Sequence, residues 1–238
     1  LANRFLFVKI TTDEGIVGVG ESGAWAFQDA VKEVVSTFSD YLVGKDPLTI
    51  EHHWQYMYRS YHFRGAAIMG ALSAIDIALW DIAGKYFGCP VYQLLGGKVR
   101  DKARVYYHVG GGDIDSMVKN LKEAKAFTAV GHLSPFLDEP RTQVYGEISF
   151  AKKIANAVER VAAYREAVGN DVDLCVEIHR QLNIPEAIAF AHGIEEYHPF
   201  FLEDPTTPDN FDSMIEIASK INIPVATGER YHTPQEFA

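Results

Sequence analysis

The chain has 238 residues, of which 47% are hydrophobic and 23% are charged, and its formal net charge is −10. This length and apolar content allow one large soluble domain, or two smaller ones, with a buried core. The net charge argues against nucleic acid or an anionic membrane as a partner, although a bound divalent ion can reverse the local field for a small anionic substrate. The two cysteines, Cys89 and Cys175, form no CxxC motif and indicate buried thiols in a reducing cytoplasm.

The first hundred residues have the pattern of two strands followed by helices. Residues 4–12 and 16–20 alternate as strands do, and the turn Asp13-Glu14-Gly15 between them predicts an antiparallel hairpin. Three helices are predicted after the hairpin: from about Gln28 to Leu42, from Thr49 to Tyr61 and from Gly65 to Phe87. Strands followed by helices predict a small α+β domain over residues 1–100.

The third of these helices is apolar almost all round. Its length would suit a membrane span, but Asp76 and Asp81 lie inside it. These charges favour a buried helix of a soluble protein, so no membrane association is expected.

Residues 101–238 change to alternating strands and helices. Five strand patterns are predicted: at residues 103–109, 127–133, 172–177, 199–203 and 223–228. The segments Asn183-Ile184-Pro185 and Thr207-Pro208-Asp209 mark helix starts between them. This alternation predicts an α/β fold, a (β/α) TIM-type barrel of which about five of the eight units are present. The remaining units are expected to lie outside this chain.

Three glutamates close successive strand patterns. Glu177, Glu203 and Glu229 are each 26 residues from the next, and each follows a short apolar run. Because parallel barrel strands end at one face, the three carboxylates are predicted to converge there. Each glutamate alone could be a solvated loop residue or a helix N-terminal charge. Three anions in register would repel each other without a cation, so the spacing predicts a Mg²⁺ site with Glu177, Glu203 and Glu229 as ligands.

The organisation and the acids together resemble the enolase superfamily, with an α+β capping domain before a barrel. Similarity to its mandelate racemase group rests on four strings: residues 71–81, Leu94-Leu95-Gly96-Gly97, Phe201-Leu202-Glu203-Asp204-Pro205 and Ala226-Thr227-Gly228-Glu229-Arg230. The resemblance implies that Mg²⁺ binds a substrate carboxylate while a base removes the α-proton to give an enediolate.

His179 narrows the reaction that the resemblance implies. Glu177-x-His179 is similar to the Asp-x-His of the galactonate dehydratase-like acid-sugar dehydratases. In an extended strand the two side chains would share a face. The resemblance implies that His179 is the general acid that protonates the departing 3-hydroxyl, and its pKa range suits that role; a substrate-binding role is the alternative. The expected substrates are aldonates such as galactonate, gluconate or mannonate, which would give 2-keto-3-deoxy acids.

Two departures from the family pattern keep other functions open. Glu177 stands where the family usually has aspartate, and residues 128–133 contain no lysine where the racemase branch places a Lys-x-Lys pair. The general base is therefore expected to be a histidine beyond Ala238, and the 238 residues alone are expected to be inactive. The alternatives are a racemase or epimerase of the same superfamily, or a non-catalytic protein that binds metal and sugar acid.

Four further residues are candidates for substrate binding. Arg64 lies in a capping-domain segment expected to close over the barrel mouth, with a plain surface position as the alternative. His132 lies near the end of the second predicted strand, where it could stand in for the missing lysine or simply be exposed. Arg230 and His232 follow Glu229 closely, and Arg230 is also expected to hold the ligand carboxylates. The resemblance further implies a homo-oligomer, with an octamer as its common form.

Overall fold

The computed structural model describes residues 5–24, 26–111, 113–124, 126–136 and 148–237. The chain forms two compact units. The first contains the described residues up to Lys102 together with His232–Glu236, and the second contains Ala103–Tyr231 together with Phe237.

The first unit is a β-hairpin with helices packed on it. Strands β1 (Leu6–Thr11) and β2 (Val17–Ser22) pair antiparallel, and the turn between them uses Gly15 at φ 82°. The helices are α1 (Gln28–Leu42), α2 (Ile50–Arg59), α3 (Ala66–Phe87) and α4 (Val91–Leu94). The hairpin and the three long helices predicted for this region are therefore present.

Helix α3 is the core of the first unit. Gly18 and Gly20 of β2 lie so close to it that a Cβ atom on either would be 2.0 Å from a carbonyl oxygen of the helix, that of Ala78 or Ala74. Glycine on the strand and alanine on the helix permit this approach. The helix is long and apolar enough by composition to cross a membrane, but half of its most apolar window is buried within the unit. That burial is typical of a core helix.

The second unit is an α/β structure around a parallel sheet. Its strands, in spatial order, are β3 (Tyr107–His108), β4 (Ala129–Leu133), β5 (Asp173–Glu177), β6 (Phe201–Glu203) and β7 (Val225–Ala226). Its helices are α5 (Ile114–Glu123), α6 (Phe150–Val168), α7 (Ile184–Ile194) and α8 (Phe211–Lys220), and α9 (Pro234–Phe237) is the last described element. The predicted alternation and parallel sheet are confirmed.

Burial explains why the central strands form where the apolar runs are. Leu174, Val176 and Leu202 are fully buried in one core cluster with residues of the covering helices, such as Ala157 and Phe190. β3 is much shorter than the predicted strand over residues 103–109. It lies at the edge of the described sheet and pairs only with β4, so only two of its residues enter the ladder.

Candidate active site and metal centre

Neighbouring strands bring two of the three predicted acids side by side. Glu177 ends β5 and is the register partner of Glu203, which ends β6. Glu203 in turn pairs with Ala226, the last residue of β7, and Glu229 follows three residues later. Adjacent parallel strands are about 4.8 Å apart, so the carboxyl groups begin from closely spaced backbone positions.

Two histidines contact the Glu177 carboxylate, one on each oxygen. His179 Nε2 lies 2.5 Å from Glu177 Oε1, and His132 Nδ1 lies 2.9 Å from Glu177 Oε2. The side chains of Glu177 and His179 are only 7% and 9% exposed, whereas that of His132 is 45% exposed. Burial alone would raise the pKa of Glu177, but the hydrogen bonds and charges of His132 and His179 outweigh it and lower the pKa to about 2. Glu177 is therefore an anion at neutral pH.

Neither imidazole reaches Glu177 from regular extended strand, since His179 lies in a turn and His132 at an irregular position of β4. His179 has φ 53° and lies beyond the end of β5, so it does not continue the extended backbone expected from the sequence. The left-handed backbone of His179 turns its ring back towards Glu177. His132 has φ 60° at an irregularity in the pairing of β4 with β5. Positive φ is rare for residues with a side chain and is concentrated at functional sites.

The surroundings of Glu203 disfavour its ionised form. Burial and then the charges of Glu177, Asp204 and Glu229 raise its pKa to about 7, against an opposing effect of His132. Within the described ranges, the Glu203 side chain has no ion pair or hydrogen bond. A cation at this point would relieve the repulsion among the acids.

Arg180 connects the third acid to the other strand ends. Its Nη1 atom contacts Glu229 Oε1 and lies 3.2 Å from Asp204 Oδ2. Thr227 donates its hydroxyl to the other oxygen of Asp204 over 2.8 Å. The sequence predicted that Arg230 would hold the ligand carboxylates, but in the structure Arg180 contacts Glu229. In this part of the chain Arg230 is exposed and makes no described hydrogen bond or ion pair.

Aromatic rings form one side of the acid cluster. Tyr106 stacks on His108 with ring centroids 5.2 Å apart, and His108 stacks on His132 at the same separation. His132 then meets His179 edge-on at 4.8 Å. Neither His108 nor Tyr106 was assigned to the site from the sequence. Their spacing was a signal, since residues 106 and 108 both lie in the predicted strand over residues 103–109 and would share one of its faces.

Two other predicted site residues, Arg64 and His232, belong to the first unit. Arg64 is an exposed residue of the first unit, and its Nη1 donates to the hydroxyl of Tyr58 over 2.9 Å. His232 is also assigned to the first unit, and its backbone N–H donates to Glu236. The substrate-binding roles of Arg64, His132, Arg230 and His232 stay predictions.

The donor atoms suit a divalent cation. His132, Glu177 and His179 offer ligand atoms that all lie within 4.8 Å of one another. Glu203 adds a carboxylate whose pKa is raised to about 7 by burial and then by the neighbouring acids. The donor chemistry therefore fits a metal in two ways, either as an oxygen set from the glutamates or as a mixed set that includes the two imidazoles.

Comparison with known proteins assigns the chain to one family. The model of the mandelate racemase/muconate lactonizing enzyme N-terminal domain matches residues 2–96, and the enolase C-terminal domain-like model matches residues 117–238. The chain therefore belongs to the mandelate racemase/muconate lactonizing enzyme group of the enolase superfamily. The predicted fold class, a capping domain followed by a barrel, is confirmed.

Individual relatives are longer than this chain. D-galactonate dehydratases from Pectobacterium atrosepticum and Ralstonia nicotianae are each 38% identical to it over 238 residues. The chain spans 61% of the length of each. A solved enolase-superfamily structure from Salmonella Typhimurium is 33% identical, with a TM-score of 0.90, and matches 99% of this chain and 66% of its own. A mandelate racemase/muconate lactonizing enzyme from a Sulfitobacter species is 32% identical, with a TM-score of 0.87 over 98% of this chain and 62% of its own.

Proposed function

We propose that this chain is part of a Mg²⁺-dependent dehydratase of acid sugars, acting on aldonates such as galactonate, gluconate or mannonate. The observation that carries the proposal is the position of His179 on Glu177, beside the register partner Glu203. A histidine acid next to paired carboxylates suits elimination of a hydroxyl group β to a carboxylate. The relatives named D-galactonate dehydratase support the same reaction class.

Glu177 and His179 would work as a pair in proton delivery. With its low pKa, Glu177 stays ionised, so it can accept a hydrogen bond from Nε2 of His179 and orient the imidazole. Removal of the substrate α-proton by a base would form the enediolate. As that electron pair forms the C2–C3 double bond, the C3–O bond breaks, and a proton from His179 converts the leaving hydroxide to water. The resulting enol tautomerises to a 2-keto-3-deoxy acid.

Mg²⁺ is the proposed ion, with Glu177, Glu203 and Glu229 as its ligands. Hard oxygen donors suit Mg²⁺, and both imidazoles can remain hydrogen-bonded to Glu177 in that arrangement. When bound, the ion would supply electrostatic stabilisation for the negative charge that develops on the substrate carboxylate. The mixed set of His132, Glu177 and His179 would instead favour a borderline ion such as Zn²⁺. The relative affinities of the protein for Mg²⁺ and Zn²⁺ would distinguish the glutamate ligand set from the mixed ligand set.

The proposal is tested by product analysis on the natural full-length protein. We expect a panel of aldonates to yield 2-keto-3-deoxy acid with Mg²⁺ and none after chelation. His179→Asn should abolish product formation while Mg²⁺ affinity is retained, and His192→Asn, at an exposed histidine of α7, should leave the rate unchanged. Exchange of the α-proton with full retention of the hydroxyls would select the epimerase alternative. Binding of metal and sugar acid with no turnover would select the non-catalytic alternative.

A further inference from the structure

Arg180 connects the ends of three strands in the second unit. Its backbone N–H donates to the carbonyl of Asp204, just beyond β6, over 2.7 Å. Its guanidinium contacts the side chains of Asp204 and of Glu229, which follows β7. Arg180 itself follows β5, so a single residue links the segments that follow the three strands β5, β6 and β7, near whose ends the three acids lie.

The network around Arg180 is built to keep the guanidinium in place. The Arg180 side chain is only 14% exposed. Asp204, its buried partner, is fixed by the Thr227 hydroxyl at 2.8 Å and by its own N–H, which donates to the carbonyl of Ala226 over 2.9 Å. Arg180 and Asp204 have φ of 66° and 41°. Non-glycine residues keep such backbone only where the surroundings determine it.

Glu229 is the acid that most needs such support. Its side chain is 49% exposed, whereas that of Glu177 is 7% exposed and held by two histidines. Glu229 also follows Gly228, which has φ 123°, and lies beyond the two-residue strand β7. Burial and strand pairing therefore constrain Glu229 less than the other two acids. Its described side-chain contact is the one to Arg180.

We propose that Arg180 is a positioning residue that orients the Glu229 carboxylate for metal binding, an inference that rests on the proposed function. Arg180 contacts Oε1 of Glu229. A carboxylate can accept from an arginine and still offer its other oxygen to a cation, because it has about four lone-pair sites. Partners that hold a ligating carboxylate commonly change metal affinity when they are removed.

The test is Mg²⁺ binding by isothermal titration calorimetry on the metal-free natural protein. Arg180→Gln should weaken Mg²⁺ binding about 10- to 100-fold. Lys119→Gln is the matched control, because it removes one positive charge from an exposed side chain of α5 in the same unit and should change affinity by less than about threefold. Unchanged or tighter binding in Arg180→Gln, or an equal loss in both variants, would overturn the inference. If the wild-type protein binds no Mg²⁺, the proposed function and this inference fail together.

Two further variants guard against a purely structural effect. Arg180→Lys keeps the charge and should recover part of the affinity, while Thr227→Val should weaken Mg²⁺ binding about threefold through Asp204 without altering the arginine. The catalytic readout should match, because excess Mg²⁺ should restore most of the kcat of Arg180→Lys while the Mg²⁺ concentration for half-maximal rate stays raised. A kcat loss that Mg²⁺ cannot restore, together with wild-type Mg²⁺ affinity in both variants, would contradict the role.

Discussion

Replacement of Glu203 by glutamine should stabilise the metal-free protein above about pH 7. The pKa of Glu203 is raised from 4.5 to about 7 by burial and by Glu177, Asp204 and Glu229. Between pH 4.5 and about pH 7 the unfolded protein has released the Glu203 proton, whereas the folded protein still keeps it. The free energy of unfolding therefore falls as pH rises through this window. Glutamine cannot ionise, so Glu203→Gln should lack the fall.

The size of the effect follows from the pKa difference. A pKa raised from 4.5 to about 7 corresponds to roughly 3 kcal/mol, at 1.4 kcal/mol per pH unit. Because Glu203 is partly exposed and solvent screens its neighbours, we expect about 1–2 kcal/mol. Glu177 acts in the opposite sense, and its contribution is present above pH 4.5 and is lost only as pH falls towards 2. It therefore does not obscure the window assigned to Glu203.

Urea unfolding of the chelated protein at a series of pH values measures this difference. Saturating Mg²⁺ should remove most of the loss above pH 7 in the wild type and should do little in Glu203→Gln, which lacks one ligand charge. Glu196→Gln, at an exposed glutamate of the second unit, is the matched control. A Glu203→Gln variant less stable than the wild type at about pH 8 without metal would refute the reasoning, as would the same pH slope in both proteins.

Three other substitutions test local interactions within the second unit. Gly131→Ala should destabilise the protein by about 1–3 kcal/mol in urea unfolding, because its Cβ would lie 2.2 Å from the ring of Tyr106; a neutral result would show that the ring can move. Asn183→Ala removes the capping box of α7, and its melting temperature should fall in line with a loss of about 1 kcal/mol. Tyr164→Phe loses a buried hydroxyl that donates to the carbonyl of Ser134 over 3.2 Å, and should lose about 1 kcal/mol; an equal stability would mean that the bond contributes nothing net.

Much of the fold could be predicted because local signals agree with tertiary packing. The apolar runs that form β5 and β6 are buried, and Asn183 caps α7 through a box with Glu186. Strand β3 was predicted too long. Its length depends on a pairing partner distant in the sequence, and no local pattern reports that pairing.

The site was predictable only in part. The equal spacing of the acids indicates strand ends, and the register then places Glu177 beside Glu203. The role of Arg180 was missed because its contacts to Asp204 and Glu229 span 24 and 49 residues. The left-handed backbone of His179 could not be expected either, since histidine rarely adopts positive φ.

The site residues on strands and those on turns differ in how readily they can be replaced, and this difference affects how the site can evolve. The ladder between β5 and β6 fixes the backbone positions of Glu177 and Glu203, whereas His179 lies in a turn beyond β5. Turn segments tolerate exchange far better than paired strands do. Laboratory selection for a new sugar acid could therefore randomise the turn that carries the His179 imidazole and leave the spacing of these two acids intact.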